Sequence, residues 1–262
     1  MARPRAAAGP LSAYVLHQHD WSESSLIVEL FTRERGRVVV VAKGAKRPYS
    51  QLRPVLLPLQ RIAVQLGRPP SDDTAELYLL RSAEWAGGAP MPAGAPLVAG
   101  FYLNELLLKL LARQDAHPAL FDRYAEAVLA LQLDDDLHVQ SVLRAFELLL
   151  LREIGVLPEL SAVSQTLAPL RAGVGYALHG EAGVVAASDD ATAVPAAQLL
   201  AIEAALSAAS SAALRAAVLP ALGPLRAQLR GLLHYHLGTS SLRTREVMQG
   251  VRRLVDNETP PR

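Results

Sequence analysis

The sequence predicts an α+β protein in which a five-stranded β-barrel is followed by a mostly α-helical domain with a small β-hairpin insertion. Three observations carry this prediction. Short runs rich in Val, Ile, Leu and Tyr alternate with polar or Gly/Pro segments over about the first 80 residues. The segment AGGAPMPAGAP, residues 86–96, then interrupts the pattern. Beyond it, apolar residues recur at helical spacing.

The barrel is predicted from five strand-like runs, at residues 13–17, 25–31, 37–42, 55–66 and 75–82. Five short strands in this length fit a small closed barrel, either an OB-fold or an SH3-like barrel. Pro58 lies inside the fourth run and has no N–H for a sheet ladder, so we expect an edge or a bulge there. Tyr14, Phe31 and Tyr78 lie within apolar strands and are expected in the core.

The second half is predicted to be helical. Residues 97–111 are apolar on nearly every side, which indicates a buried helix. Further helices are predicted to begin at Pro118 and to cover residues 139–154, 225–237 and 242–255. GYALHGEAGVVAAS, residues 175–188, predicts the hairpin, and the alanine-rich residues 191–221 have high helix propensity but no clear role. The predicted domains are residues 1–84 and 97–262, joined by a linker at 85–96, with the hairpin region at about 163–187.

The charge of the chain is concentrated in one short window. The 262 residues carry a formal net charge of +1, yet residues 33–53 hold seven cations and one anion, a local net charge of +6. Two of the three lysines, Lys43 and Lys46, lie there. Such asymmetry is typical of a surface that binds a polyanion, although charge alone leaves a solvated loop as the alternative.

Composition also bears on compartment and on metal binding. No apolar run reaches about 18 residues without a charge, and MARPRAAAGP lacks the apolar stretch of a signal peptide. We therefore expect a cytoplasmic protein. The absence of cysteine excludes disulfides and thiolate-ligated zinc.

Motifs for catalysis are weak. His17 and His19 would share a strand face without a further ligand nearby, and His234 and His236 diverge on a helix. The acidic run at 134–136 could bind magnesium, but its position before a predicted helix favours N-capping. Phosphate-cradling, nucleophile-elbow and zinc-protease motifs are absent from the sequence. We expect no enzyme activity, and a metal-dependent nucleic-acid-processing enzyme is the rival hypothesis.

Recognition by charge and aromatic surface is the remaining hypothesis. An OB-type barrel binds single strands by tracking phosphates with Lys and Arg and stacking bases on aromatic side chains. Trp21, in a polar loop, and Tyr49, inside the cationic window, are the stacking candidates, and partial packing under a loop is an equal alternative for both. A generic OB-fold RNA- or tRNA-binding protein is the alternative function.

Six segments carry a series of family-like motifs. They are YVLHQHDWSESSLIVELFTRERGRVVVVAKGAKRPYSQLRPVLLPL (14–59), LYLLRSAE (77–84), FYLNELLLKLL (101–111), LFDRYAEAVLAL (120–131), LRAFELLLLREIGVLPEL (143–160) and LGTSSLRTREV (237–247). In order and spacing they resemble the RecO family of bacterial DNA repair and recombination mediator proteins. The motifs W-S-E-S-S, F-T-x-x-x-G-R and V-A-K-G-A, followed by Y-L-N-E-L, are the most specific.

This resemblance implies an N-terminal OB-fold and a DNA-binding, nucleoid-associated protein. It implies binding of single- and double-stranded DNA, annealing of complementary strands, and cooperation with RecR to load RecA onto DNA coated by single-strand-binding protein (SSB). The implied DNA contacts are Arg35, Arg37, Lys43, Lys46 and Arg47, with a second basic patch at Arg243 and Arg245. Tyr49, the stacking candidate inside the same window, is added to the predicted DNA-binding residues. Arg144 is implied as a charge partner of the acidic SSB tail, with Phe146 and Leu149 in the core.

The sequence also departs from the resemblance. Many RecO relatives carry four cysteines of a zinc module in the helical domain, and residues 163–187 have none here, so no metal or other cofactor is expected. Leu59-Gln60 stands where an aromatic residue is frequent, and Thr244 stands at a usual serine. The alanine-rich residues 191–221 are atypical.

Overall fold

The computed structural model describes residues 9–67, 77–133, 135–188, 192–238, 242–244 and 247. The chain divides into two compact units. The barrel unit comprises Met1–Met91 and Leu106–Ala125, and the helical unit comprises Pro92–Glu105 and Glu126–Arg262. Within the part of the chain that is described, no helix is both long and apolar enough to cross a membrane.

Five strands close into a barrel, namely β1 (Leu11–Asp20), β2 (Leu26–Thr32), β3 (Gly36–Ala42), β4 (Arg61–Leu66) and β5 (Leu77–Trp85). Their order is β1-β2-β3-β5-β4, and β4 pairs with β1 to complete the circle. The β3–β5 pair is parallel and the other pairs are antiparallel. This is the OB arrangement, so the barrel prediction is confirmed and the SH3-like alternative is set aside.

Two buried layers hold the barrel unit together. Alternate residues of the strands, such as Val38 and Val40, fill the barrel interior. On the outer face, the Tyr14 ring centroid lies 5.4 Å from that of Phe121 and 4.9 Å from that of Tyr124. Burial raises the pKa of Tyr124 well above its ordinary value, because the phenolate would lose its hydration. Tyr14, Phe31 and Tyr78 are buried as predicted.

The predicted fourth strand, residues 55–66, is wrong in its first half. Residues 51–56 form bends and turns, and β4 begins only at Arg61. Pro58 makes an isolated bridge to Val15, and Leu59 has φ +63°. Prolines at 54 and 58 lack the N–H donors that a ladder needs, so the apolar side chains here anchor a turn-rich segment rather than a strand.

Within the described residues the helices are α1 (Gly94–Leu110), α2 (Pro118–Ala130), α3 (Asp136–Glu153), α4 (Ala196–Ser207), α5 (Ser211–Val218) and α6 (Leu222–Leu237), with a 3₁₀ turn at Leu219–Ala221. The predicted hairpin forms from β6 (Gly175–His179) and β7 (Gly183–Ala186), and β8 (Val194–Pro195) adds a third strand to β6. The alanine-rich segment makes two helices, because Ala209 has φ +49° and Ser210 caps α5. Most of the predicted helix at 242–255 lies outside the described residues.

Candidate nucleic-acid interface

The cationic window is divided by strand β3. Arg33 and Arg35 lie in the turn before the strand, and Lys43, Arg47 and Arg53 lie in the segment after it. We call residues 43–60 the β3–β4 segment. A seven-residue strand spans about 20 Å, so the charges lie at two ends of the barrel instead of forming one patch.

The arginines before β3 have partners within the barrel unit. Arg33 Nε and Nη2 each donate to a different carboxylate oxygen of Asp122 at 3.0 Å. This bidentate hydrogen bonding lowers the pKa of Asp122, because it stabilises the carboxylate. The Arg35 guanidinium carbon lies 5.8 Å from the centroid of the Tyr78 ring, a cation–π contact.

Arg37, predicted to contact DNA, is enclosed. Its Nη1 donates to the carbonyl oxygens of Leu108 and Leu111, the latter at 2.7 Å, and its Nη2 donates to Glu29 Oε2 at 3.3 Å. Arg113 Nη2 donates to the other Glu29 oxygen at 3.0 Å. The Arg37 side chain is only 11% exposed. This geometry argues against a phosphate contact at Arg37, because a buried guanidinium with protein partners would have to leave them to reach solvent.

The β3–β4 segment presents the remaining predicted contacts. Lys43 and Arg47 are exposed, and Tyr49 is 94% exposed, which excludes packing under the loop as an account of Tyr49. Arg53, one of the seven cations of the window but not among the predicted DNA contacts, is exposed in the same segment. The signal that could have identified it is its place in RPYSQLRP, where two prolines restrict the backbone on either side of an aromatic residue.

Lys46 joins this segment to the loop between β1 and β2. Its Nζ lies 3.0 Å from Asp20 Oδ2 and donates to the Ser22 carbonyl at 3.1 Å, and its backbone N–H donates to the Ser24 carbonyl at 3.0 Å. The same loop carries Trp21, which is 61% exposed. The fold therefore places the loop that carries Trp21 next to the β3–β4 segment. The ammonium and backbone N–H groups of Lys46 form the contacts between this loop and the segment.

Arg144, predicted to form an ion pair with the acidic SSB tail, is buried within the helical unit. It is 3% exposed, and its Nη2 lies 2.8 Å from Oε1 of the fully buried Glu147, which also accepts from the Tyr102 hydroxyl. This burial argues against a surface contact at Arg144. Phe146 is buried as predicted, and Leu149 is partly buried.

Of the two arginines in the second predicted basic patch, Arg243 is among the described residues. Arg243 has an exposed side chain, and its backbone N–H donates to Glu105 Oε1 at 2.9 Å. Thr244 donates to Glu105 Oε2 through its backbone N–H at 3.0 Å and its hydroxyl at 2.6 Å. Glu105 thus holds this segment through its backbone and leaves the Arg243 side chain outside. Arg245 lies outside the described residues.

The possible metal ligands have structural partners. The rings of His17 and His19 share a face of β1 and contact each other, with centroids 4.3 Å apart. Asp135 accepts from the His138 backbone N–H at 2.7 Å and is the N-cap of α3, as predicted, and Asp134 lies outside the described residues. Among the residues that can be described, no three His, Asp or Glu side chains are grouped to hold a metal ion.

A closed OB barrel with an exposed cationic segment, followed in the chain by a helical unit, is the architecture of a nucleic-acid-binding OB-fold protein. Comparison with known proteins agrees with both parts. The N-terminal part of recombination protein O matches residues 11–89, and its C-terminal part matches residues 94–246. The chain therefore belongs to the recombination protein O (RecO) family.

Individual relatives are similar over nearly their whole length. Proteins named DNA repair protein RecO are 51% identical in Acidovorax ebreus and 49% identical in a Polaromonas species, in each case over 97% of this chain and 100% of the relative. A third, from Delftia acidovorans, is 51% identical over 92% of this chain and 96% of its own length.

Proposed function

We propose that this chain is a non-enzymatic DNA repair and recombination mediator. It binds single- and double-stranded DNA, anneals complementary strands and, with RecR, helps to load RecA onto DNA coated by SSB. Membership of the RecO family supports this proposal. The observation that carries it is the anchored β3–β4 segment, where Lys43, Arg47 and Arg53 are exposed beside Tyr49.

The mechanism is electrostatic. Two complementary strands repel each other through their phosphates, and exposed cations on one rigid surface lower that repulsion while the bases remain free to pair. Lys43, Arg47 and Arg53 are the proposed phosphate contacts of the barrel unit, with Arg35 as an accessory contact at the opposite end of β3. Lys46 is proposed to act through the β1–β2 loop.

The salt dependence of single-strand binding tests this proposal. Each phosphate contact contributes about −0.7 to the slope of log affinity against log salt, so the double variant Lys43→Glu/Arg47→Glu should flatten the slope by about 1.4. Arg171→Glu/Arg215→Glu is the matched control, because it makes the same change in net charge within the helical unit. A flat response in the unaltered protein, or equal slopes in both double variants, would overturn the charge assignment.

Two further experiments distinguish this function from an RNA-binding protein and from a nuclease. Competition between DNA and RNA strands of one sequence tests for an RNA reader, which must prefer the strand with 2′-hydroxyl groups. Incubation of labelled strands with magnesium tests for a nuclease, and annealing without cleavage is the expected result. Annealing should also proceed on strands already covered by SSB.

The partner contacts are proposed for the chain as a whole. Binding to an acidic SSB tail peptide is expected, with a scrambled peptide as control, and no direct contact is assigned to the buried Arg144. Arg243 and Arg245 are proposed as a second DNA-binding patch. We also propose residues 85–96 as the linker between a DNA-binding domain and a helical domain, for which limited proteolysis followed by mass spectrometry is the test.

A further inference from the structure

The β3–β4 segment is anchored by its own apolar residues. Ala45 and Leu56 are buried in the barrel core, and Leu52 and Val55 pack against that core. The side-chain amide of Gln18 on β1 donates to the Leu56 carbonyl. These contacts fix the backbone of the segment to the barrel, so the residues that it exposes are held on one side of the barrel.

An open cavity lies on the exposed side of this segment. It has a volume of about 530 Å³, within the usual range of about 300–1,000 Å³ for small-ligand sites. Tyr49, Pro54 and Leu57 line it, and Tyr49 and Leu57 are 94% and 41% exposed. An exposed aromatic ring beside apolar side chains forms an apolar patch that is typical of an interaction site. Other apolar residues of the same segment pack against the barrel core instead.

Charge identifies the occupant. Arg53 lines the cavity, and Arg47 is exposed two residues before Tyr49. A flat apolar group that carries a phosphate on each side complements an aromatic residue that has one exposed cation before it and one after it in the same short segment. Ser50 and Gln51 add polar groups to the lining. A nucleotide within a strand has this chemistry at every position, because each base is flat and has a phosphate on either side, whereas the carboxylates of an acidic peptide are not placed at regular positions around a ring.

We propose that this cavity takes one unstacked base of a single DNA strand, stacked on the Tyr49 ring, while Arg47 and Arg53 contact the flanking phosphates. The inference rests on the proposed function, since it presupposes that the barrel unit binds DNA. It also assigns a preference, because a base in a duplex must first leave its stack and its pairing partner before it can enter the cavity. The base pocket therefore favours single strands, while the cations alone attract both forms.

The test compares two ligands that have the same phosphates. Fluorescence anisotropy measures binding of a labelled oligothymidylate and of an abasic oligonucleotide of equal length to the full chain. Tyr49→Ala is expected to weaken oligothymidylate binding by about tenfold and to leave abasic binding unchanged. Tyr49→Phe should keep the unaltered ratio, because it retains the ring. Tyr235→Ala, the same change at a partly exposed tyrosine of the helical unit, should have no effect.

The outcomes separate this inference from the proposed function. If Tyr49→Ala leaves the ratio of the two affinities unchanged while Lys43→Glu/Arg47→Glu weakens both, the charged surface stands and the base pocket is refuted. If the unaltered protein binds neither ligand, both proposals fail. Sedimentation of the same variants tests whether a second copy of the chain occupies the cavity instead. A change in self-association without a change in the ratio of the two affinities would assign the cavity to that second copy and overturn the base pocket.

Discussion

Lys46 Nζ lies 3.0 Å from Asp20 Oδ2, and this ion pair joins the β3–β4 segment to the end of β1, where the β1–β2 loop begins. Lys46 and Lys43 are separated by two residues, yet Lys43 is exposed and Lys46 is partly enclosed. The two lysines of the cationic window therefore differ in their structural roles. One faces solvent, and the other positions the loop that carries Trp21.

This difference predicts unequal effects of the same substitution. Lys43→Met should flatten the salt slope of single-strand binding by about 0.7, because one phosphate contact is lost, whereas Lys46→Met should leave the slope unchanged. Lys46→Met should instead increase the mobility of Trp21, measured by time-resolved anisotropy in a Trp85→Phe background. An equal loss of slope in the two variants would show that Lys46 contacts phosphate directly.

The buried pair of Arg144 and Glu147 predicts a large effect on stability. Glu147→Ala leaves the guanidinium of Arg144 buried without its carboxylate, and we expect the free energy of unfolding to fall by about 3–5 kcal/mol. Urea unfolding followed by circular dichroism measures this loss. Replacing both partners, as Arg144→Met/Glu147→Leu, should restore most of it, because the double change leaves no unpaired charge. A double variant as unstable as Glu147→Ala would contradict this account.

Asp122 predicts a specific pH dependence. Its hydrogen bonds from Arg33 lower its pKa in the folded protein. The carboxylate therefore stabilises the folded state above the unfolded pKa, about 3.9, and this stabilisation is lost as pH falls through the lower folded value. Asp122→Asn should remove that part of the pH dependence of stability. The measurement is the midpoint of urea unfolding at a series of pH values from about pH 5 down to pH 2.5, and the midpoint should fall less with acid in the variant. Arg33→Gln should have the same effect, and an unchanged acid profile in either variant would contradict the prediction.

Gly36, at the start of β3, predicts a site that cannot accept a side chain. Its φ is +64°, and a Cβ there would lie 1.6 Å from the carbonyl oxygen of Asp115. Gly36→Ala should lower the free energy of unfolding by well over 1 kcal/mol, because backbone atoms must move as well as φ being strained. Gly87→Ala is the control, since φ is +83° and the added Cβ has open space. Equal losses in the two variants would show that backbone strain alone decides the effect.

Local patterns predicted most of the elements. Strands, caps and the hairpin follow from side-chain alternation and turn residues, as Asp135 at the start of α3 illustrates. The error at residues 55–60 has the same origin, because Leu56 is buried in the core and Val55 packs against it, as strand residues would, although the prolines prevent a ladder. An apolar run indicates burial without distinguishing a strand from an anchored turn.

The candidate site could be predicted only as a region of the chain. That a barrel carries a concentration of cations follows from the amino-acid sequence, because strand patterns and charge are local properties. Which of these cations face solvent depends on the tertiary structure, because the groups that engage them belong to other elements: Tyr78 on β5 for Arg35, Glu29 on β2 and the Leu111 carbonyl for Arg37, and Asp20 at the end of β1 for Lys46. Burial and pairing of a charge depend on what folds against it, and that is a property of the closed barrel.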